Sequence, residues 1–231
     1  MLSKSAARKF FLLGTGLCAV SFVLLTVDTI QRVPAQTRHA ELTESAIRGK
    51  HLFDTKNCMG CHTILGEGAY YAPELTKVYE RRGPQFIAAM LRNPEAMYPG
   101  ERKMVNYHFN EQEITDLVEF LKWIGQMDLN GFPPKPDLAP ANTGAVTALS
   151  KAPPVFTQMC SACHSLAGTG GKVGPALDGI GSRKDKAWIA TWLKDPLAVK
   201  PDSKMPKLPL GDADVEALAG FLAELKDGGT P

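Results

Sequence analysis

The longest apolar stretch of the chain lies near its amino terminus. From Phe10 to Val27, eighteen consecutive residues carry no charge, and Asp28 ends the run. A helix of that length spans about 27 Å, which is close to the hydrocarbon thickness of a bilayer. We therefore predict a transmembrane helix over residues 10–30. A cleaved signal peptide is the alternative, because residues 33–35 (VPA) resemble a cleavage site, but the run is long for a signal peptide.

Basic residues before this run predict how it is oriented. Lys4, Arg8 and Lys9 lie within the first nine residues, and the run itself has no charge. Positive charge is retained on the cytoplasmic side of single-pass proteins. Residues 1–9 are therefore expected in the cytoplasm. The residues that follow the anchor are expected on the opposite side of the membrane.

Beyond the anchor, apolar residues recur with the period of an α-helix. One helix face is predicted just before residue 58, and a longer one begins after Asn110, which forms a capping-box pattern with Glu113. The apolar positions of these two faces are Ile47, Leu52 and Phe53, and then Ile114, Leu117, Val118, Leu121 and Ile124. Because the chain shows no long alternating strand pattern, the prediction is an all-α fold.

The chain contains two copies of one pattern. A shift of 102 residues places Cys58 on Cys160, and after the loss of one residue a shift of 101 places Met104 on Met205. Such a repeat predicts two domains of the same kind. The predicted boundaries are 38–136 for the first domain, 137–150 for a linker rich in proline and alanine, and 151–231 for the second domain.

Composition narrows the classes of function. Lys and Arg number 26 and Asp and Glu number 24, so the net charge of +2 offers no basic footprint for nucleic acid. An apolar fraction of 44% argues against disorder throughout. Five cysteines are too few for a disulfide-built scaffold of 231 residues. Four of the five fall into two short motifs.

Each copy carries a Cys-x-x-Cys-His motif. Such a motif is typical of covalent c-type haem, whose two vinyl groups add to the thiols while the histidine binds iron. A redox dithiol would need a βαβ context, and a zinc site would need a fourth ligand. We therefore predict two covalently bound haem c groups. Their thioether residues are Cys58, Cys61, Cys160 and Cys163, and their axial histidines are His62 and His164.

Two methionines occupy matching positions in the copies. Met104 follows His62 by 42 residues, and Met205 follows His164 by 41. Matching positions indicate a shared role, and we predict that both are axial iron ligands rather than core-filling residues. His108 is the rival ligand for the first haem. Two His/Met centres would have no open coordination position and would transfer electrons rather than bind substrate.

Two prolines are also placed alike in the copies. Pro73 and Pro175 each follow the motif histidine by 11 residues. A backbone carbonyl at this position could accept the second N–H of the imidazole and fix the orientation of the ring. Ordinary turn formation is the alternative role for both prolines.

These motifs support a family resemblance. Each domain resembles class I cytochrome c, and residues 1–136 resemble the C subunit of the cytochrome c-dependent nitric oxide reductases. The second resemblance rests on the anchor, on Gly49-Lys50, on residues 58–75 (CMGCHTILGEGAYYAPEL), on Met104 and on residues 119–123 (EFLKW). The loop from Gly66 to Leu75 is more specific than the haem motif.

The resemblance implies a fold, a location and partners. The fold would be a transmembrane helix followed by two class I cytochrome c domains, with both haem domains on the periplasmic face of the inner membrane. A soluble cytochrome c or cupredoxin would donate electrons, and a catalytic membrane subunit would reduce two NO to N₂O. The chain itself would not be the enzyme. The resemblance also implies an interfacial calcium, to which Gly68 or Tyr70 would contribute.

The chain departs from this family in two ways, and other functions stay open. Val105 follows Met104 where the family usually has proline, and the family's chains usually end near residue 136. The added domain looks like a fused electron donor, since tethering raises its effective concentration.

The main alternative function is a dihaem electron-entry subunit of a haem–copper oxygen reductase. A dihaem peroxidase and a free-standing tethered cytochrome are the others.

Overall fold

The structure is a computed structural model, and it describes residues 3–100, 104–134 and 149–227. Most of the described chain is helical, as the sequence predicts, and its four strands have two residues each. Residues 137–148 of the predicted linker (137–150) lie outside the described residues. The helices are α1 (Lys4–Gln36), α2 (Glu44–Thr55), α3 (Val78–Arg92), α4 (Pro94–Met97), α5 (Glu111–Gly125), α6 (Pro154–Gln158), α7 (Ile180–Arg183), α8 (Lys186–Lys194), α9 (Pro196–Val199) and α10 (Asp212–Glu224).

Helix α1 contains the predicted anchor and extends past both of its ends. Ser3 caps it by accepting a hydrogen bond from the Ala6 N–H at 3.2 Å, and Thr37 ends it. No residue of α1 is buried. Within the described part of the chain, it is the one helix long and apolar enough to cross a membrane. Pro34, in the alternative cleavage site, lies inside its last turn.

Helices α2 and α5 cross to form the centre of the first domain. Gly49 allows their close approach, because a Cβ there would lie 2.0 Å from the carbonyl oxygen of Asp116. Phe53 and Phe120 then meet with ring centroids 5.3 Å apart. The five predicted apolar positions of α5 are all buried, and Asn110 and Glu113 form the predicted capping box. The prediction for α2 was wrong at Ile47, which is 46% exposed, because Ala46 faces the core instead.

A polar cluster ties α2 to α5 beside this crossing. The Asp116 carboxylate, 3% exposed, accepts hydrogen bonds from Arg48 at 2.8 Å and from Ser45 at 2.6 Å. Gln112 donates a further bond at 3.0 Å. The guanidinium of Arg48 is the main cause that lowers the pKa of Asp116 to about 2. The carboxylate is therefore ionised and fully bonded in the core.

The second domain repeats the helix crossing with a shorter first helix. Phe156 of α6 meets Phe221 of α10 with ring centroids 5.2 Å apart. The α10 residues Val215, Leu218 and Leu222 form the centre of a separate apolar core. The polar cluster has no counterpart here, because Ala217 stands at the position of Asp116 under the 101-residue shift.

Each haem motif leads into a small antiparallel hairpin. The strands are β1 (Thr63–Ile64), β2 (Glu67–Gly68), β3 (Ser165–Leu166) and β4 (Thr169–Gly170), and they pair β1 with β2 and β3 with β4. Both two-residue turns have positive φ at each position, the conformation that suits the twist of such a hairpin. These strands were not predicted from the sequence, because they are too short for a periodic pattern.

The two domains contact each other through α3, α4 and α6. Four buried residues, two from each domain, form an apolar cluster between them. We call this contact the junction, and its buried residues are Phe86, Met97, Met159 and Ala162.

Candidate functional site

The first motif wraps into a single tight turn directly after α2. The turn begins at Asn57, whose φ is +54°, and a 3₁₀ turn then covers Cys58–Gly60. The His62 N–H donates to the Cys58 carbonyl at 2.9 Å, which closes the turn. Both thiols and the imidazole are thereby held together within one turn. Cys58 is half-buried, whereas Cys61 is exposed.

The second motif has the same local geometry in a different environment. A 3₁₀ turn covers Cys160–Ala162, and the His164 N–H donates to the Cys160 carbonyl at 2.9 Å. Cys160 is buried and Cys163 is half-buried, so this motif is more enclosed than the first.

Both motif histidines hydrogen-bond to the carbonyl predicted from the sequence. His62 Nδ1 lies 2.7 Å from the Pro73 oxygen, and His164 Nδ1 lies 2.7 Å from the Pro175 oxygen. With the carbonyl as acceptor, Nδ1 carries the proton and Nε2 is left as the metal-binding nitrogen. This is the tautomer that an iron ligand needs.

The loop after each hairpin is fastened to the motif by backbone hydrogen bonds. In the first domain, the Ala69 N–H donates to Met59 and the Ala72 N–H donates to Cys61, at 2.9 and 2.8 Å. The second domain makes the same pair of contacts from Gly171 and Gly174. Gly68 and Gly170 lie at the start of these loops with φ of +114° and +125°. A Cβ at either would lie within 2.3 Å of the motif histidine's carbonyl oxygen.

The two residues of the expected calcium site differ in their setting. Gly68 is the close-packed glycine just described, and the neighbouring Tyr70 is 89% exposed. Among the residues that the structure describes, no group of three or more His, Cys, Asp or Glu side chains could hold a metal ion. A calcium contact at this loop stays a prediction.

Both candidate methionine ligands are half-buried, and they lie outside the helices and strands. Met205 packs against the core of the second domain, and its sulfur accepts a hydrogen bond from Trp192 Nε1 at 3.1 Å. Met104 opens the segment that leads into α5. That segment runs along the first domain's core, because its Tyr107 packs against the same apolar cluster as Cys58 and Met59.

His108, the rival ligand, lies on the same segment and points into solvent. Its φ is +53°, and its backbone N–H donates a hydrogen bond to Asn106 Oδ1 at 3.0 Å. The exposed imidazole favours Met104 as the distal ligand of the first domain.

The chemistry of these residues fits haem c better than the alternatives. Burial raises the pKa of the Cys58 thiol to about 11 and that of the Cys160 thiol to about 12. A redox dithiol needs a thiol pKa that is lowered, and burial acts in the opposite direction on Cys58 and Cys160. None of the four motif cysteines forms a disulfide in the structure, so their sulfurs are available for attachment to haem. In each domain, two thiols, an imidazole with a free Nε2 and a half-buried methionine supply the donors that a haem c needs.

The contacts between the first domain and the second motif were not predicted from the sequence. Arg82 Nη1 donates to Ser161 Oγ at 3.3 Å, and Cys163 Sγ lies 3.9 Å from the Met97 carbonyl oxygen. Burial raises the pKa of Cys163, while the charge of Arg82 acts in the opposite direction. No periodicity or motif connects residues so far apart in the chain.

Comparison with known proteins agrees with this geometry. The sequence model of the family described as cytochrome c matches residues 46–125 and again residues 150–226. The chain belongs to the cytochrome c family. Members of this family carry covalently bound haem c, and both matched ranges contain one of the two motifs.

Relatives of this cytochrome c chain include the C subunits of several nitric oxide reductases. The chain is 39% identical to the one from Stutzerimonas stutzeri over 57% of its own length and 94% of the relative. It is 38% identical to the one from Halomonas halodenitrificans over 58% of its length and 96% of the relative. The match to cytochrome c oxidase subunit 2 of Alkalihalophilus pseudofirmus is shorter, with 34% identity over 29% of this chain and 22% of that protein. The predicted resemblance to the nitric oxide reductase family is thereby confirmed.

Proposed function

We propose that this cytochrome is the membrane-anchored electron-transfer subunit of a nitric oxide reductase, with a second haem c domain fused to it. One observation carries the proposal: the chain matches nearly the full length of two nitric oxide reductase relatives, at 94% and 96% of their chains. The extra length of this chain contains the second cytochrome c domain. The apolar helix α1 supports single-pass anchoring in the inner membrane.

Each domain would hold one haem c through the residues of its own half. Cys58 and Cys61 would form the thioethers of the first group, and Cys160 and Cys163 those of the second. When bound, the group supplies reversible one-electron chemistry at iron. The carbonyls of Pro73 and Pro175 would hold the imidazoles in a fixed orientation, which keeps Nε2 directed at the metal.

The methionines would complete the coordination of each iron. Met104 in the first domain and Met205 in the second would each be the sulfur ligand of their haem iron, and sulfur ligation favours a high reduction potential. Because neither site would keep an open position, catalysis would take place in a partner subunit that reduces two NO to N₂O. The loop with Gly68 and Tyr70 would face that partner and contribute to an interfacial calcium.

The haem domains would lie on the periplasmic side of the membrane. The support is the basic segment before the apolar run of α1, which contains Lys4, Arg8 and Lys9. On that side, a soluble cytochrome c or cupredoxin would be the electron donor. The second domain would pass electrons to the first, and the first would pass them to the catalytic partner.

One finding favours a second candidate, an electron-entry subunit of a haem–copper oxygen reductase. Part of this chain is 34% identical to a cytochrome c oxidase subunit 2. The match covers 76 residues and 22% of that protein, so it involves little beyond a cytochrome c domain. The likeness to the nitric oxide reductase relatives covers nearly all of each relative, whereas two cytochrome c oxidase subunit 2 proteins are matched over 22% and 40% of their own length.

Purification of the native complex decides between these functions. The chain is isolated from membranes with its partner, and the metals of the partner and the gases consumed are measured. We expect non-haem iron in the partner, consumption of NO with a soluble donor, and two covalent haems on this chain by intact mass. A copper-containing partner that consumes O₂ would overturn the proposal in favour of the second candidate.

A further inference from the structure

The two motifs differ in what covers them, although their local geometry is the same. Cys61 of the first motif is exposed, and the loop beside it presents Tyr70 to solvent. In the second motif, Cys160 and Ala162 are 7% and 8% exposed. Part of this cover is supplied by the first domain, because Ala162 belongs to the apolar cluster of the junction.

The junction has an apolar centre and a polar contact at its edge. Phe86 and Met97 of the first domain pack against Met159 and Ala162 of the second, and all four are less than 10% exposed. Tyr98, Cys163 and Leu208 pack around this centre. The second motif is therefore enclosed by α3 and α4 of the first domain on the side where its second cysteine lies.

Arg82 makes a hydrogen bond between side chains across the junction. Its guanidinium lies over the Phe86 ring, 5.4 Å from the centroid, and donates to Ser161 Oγ at 3.3 Å. Ser161 in turn donates to the Thr157 carbonyl at 2.6 Å, which fixes the hydroxyl as an acceptor for Arg82. The cation thus reaches from one domain to a residue between the two motif cysteines of the other.

The repeat offers an internal comparison for Arg82. Lys184 occupies the same position in the second copy and lies over Trp188, 4.2 Å from the ring centroid, as Arg82 lies over Phe86. Lys184 is exposed, and both partners of its contact belong to its own domain. Of these two cations, only the one in the first copy is seen to reach the neighbouring domain.

We propose that the junction is a built-in docking surface for electron exchange between the two domains, and that Arg82 is the residue that positions the second motif on it. The inference rests on the proposed function, because it requires a haem c in each domain. In one exchange, the ferrous form of one domain loses one electron and the ferric form of the other gains it. No bond forms or breaks, and no proton moves. The second domain therefore exchanges electrons with the first domain of the same chain, through the enclosed side of its motif.

Exchange NMR of the half-reduced full-length protein in detergent tests the proposal. The haem methyl signals of each domain report its oxidation state, and the rate of intramolecular exchange is the part independent of protein concentration. We expect Arg82→Glu to slow this rate at least tenfold and Arg82→Lys to keep it near that of the wild type. Lys184→Glu is the matched control and should leave the rate unchanged.

A charge swap protects the test against simple misfolding. Ser161→Lys should slow the exchange as Arg82→Glu does, because it places a second cation opposite Arg82. The double variant with both changes restores an attractive pair and should recover most of the rate. Amide hydrogen exchange in residues 82–98 and 155–163 should rise in each single variant and fall again in the double variant.

The outcomes separate this inference from the proposed function. The measurement needs neither NO nor the catalytic partner, so it does not depend on which reductase the chain serves. Unchanged exchange in both single variants, equal slowing by Lys184→Glu, or no recovery in the double variant would overturn the role of the junction. A chain without two attached haems would instead contradict the proposed function.

Discussion

The two cytochrome domains share a motif, a hairpin and a histidine–carbonyl contact, yet they present their haem motifs differently. In the first domain, Cys61 and the following loop face solvent. In the second, Met159 and Ala162 are buried against the first domain. This contrast shows that the local sequence of a repeat fixes the geometry of its motif, while the surrounding surface fixes what covers that motif.

The strongest change should come from removing the attachment cysteines of one domain at a time. The Cys58→Ala, Cys61→Ala pair and the Cys160→Ala, Cys163→Ala pair should each leave one porphyrin on the chain by intact mass. A domain of about 80–90 residues is marginal on core burial alone, so each variant should also lose protease resistance in its own domain. Retention of both porphyrins in either variant would refute the assignment of the thioethers.

The next effect concerns the distal ligands and compares the two domains directly. Met104→His and Met205→His should each lower the midpoint potential of their own domain by on the order of 0.1–0.3 V, within the range of about 0.8 V that axial ligands span. Spectroelectrochemistry measures both potentials in one titration. His108→Ala is the control and should leave the first potential in place; loss of low-spin character there would mean that His108 is the ligand.

A smaller effect is expected from the polar cluster that only the first domain has. Asp116→Ala removes the hydrogen bonds from Arg48, Ser45 and Gln112 to a buried carboxylate. It should destabilise the first domain by about 1.5–3 kcal/mol. Ala217→Ser, at the matching position of α10, should change the stability of the second domain little. Chemical denaturation of the full chain, followed separately for each haem, measures both, and equal losses would show that the cluster is not what distinguishes the domains.

Acid should remove the stability that this cluster gives to the first domain. The pKa of Asp116 is lowered from its ordinary value of 3.8 to about 2, with Arg48 as the main cause. A group whose pKa is lowered by folding stabilises fully above its unfolded pKa, and this contribution is lost as pH falls through the folded value. The first domain should therefore lose stability between about pH 4 and pH 2. Asp116→Asn should flatten this part of its pH profile without affecting the second domain.

The weakest effect is expected at the two prolines whose carbonyl oxygens accept hydrogen bonds from the motif histidines. Pro73→Ala and Pro175→Ala keep the carbonyl oxygen, so the contacts with His62 and His164 should persist. Each change should cost about 0.4–1 kcal/mol through greater freedom of the unfolded chain, with little shift in potential. A large shift in the potential of one domain only would show that the proline ring, and not the carbonyl alone, fixes the orientation of the histidine in that domain.

Local sequence predicted the features whose partners lie within a few turns of each other. The capping box of Asn110 and Glu113 is confirmed, because both of its hydrogen bonds join residues three apart. The histidine contacts with Pro73 and Pro175 involve residues 11 apart in a loop of fixed length. Prediction was weaker for α2, where Gly49 and Ala46 form the contact face and Ile47 does not.

Contacts between distant parts of the chain left no such signal. Arg82 and Ser161 are 79 residues apart, and Arg48 and Asp116 are 68 apart. Each of these polar residue types is common on exposed helices and loops, so only the tertiary structure shows that these side chains bond to each other. The same holds for Met97 and Met159, which the sequence alone does not distinguish from core methionines of a single domain.

The apolar helix and the two copies of a cytochrome c domain follow from the sequence alone, because haem attachment depends on residue types at short, fixed spacings. That the first motif is open while the second is enclosed by the neighbouring domain follows only from the tertiary structure. The physical reason is that packing of Phe86 and Met97 against Met159 and Ala162 depends on how two folded surfaces meet. No local pattern along the chain predicts this contact between the domains.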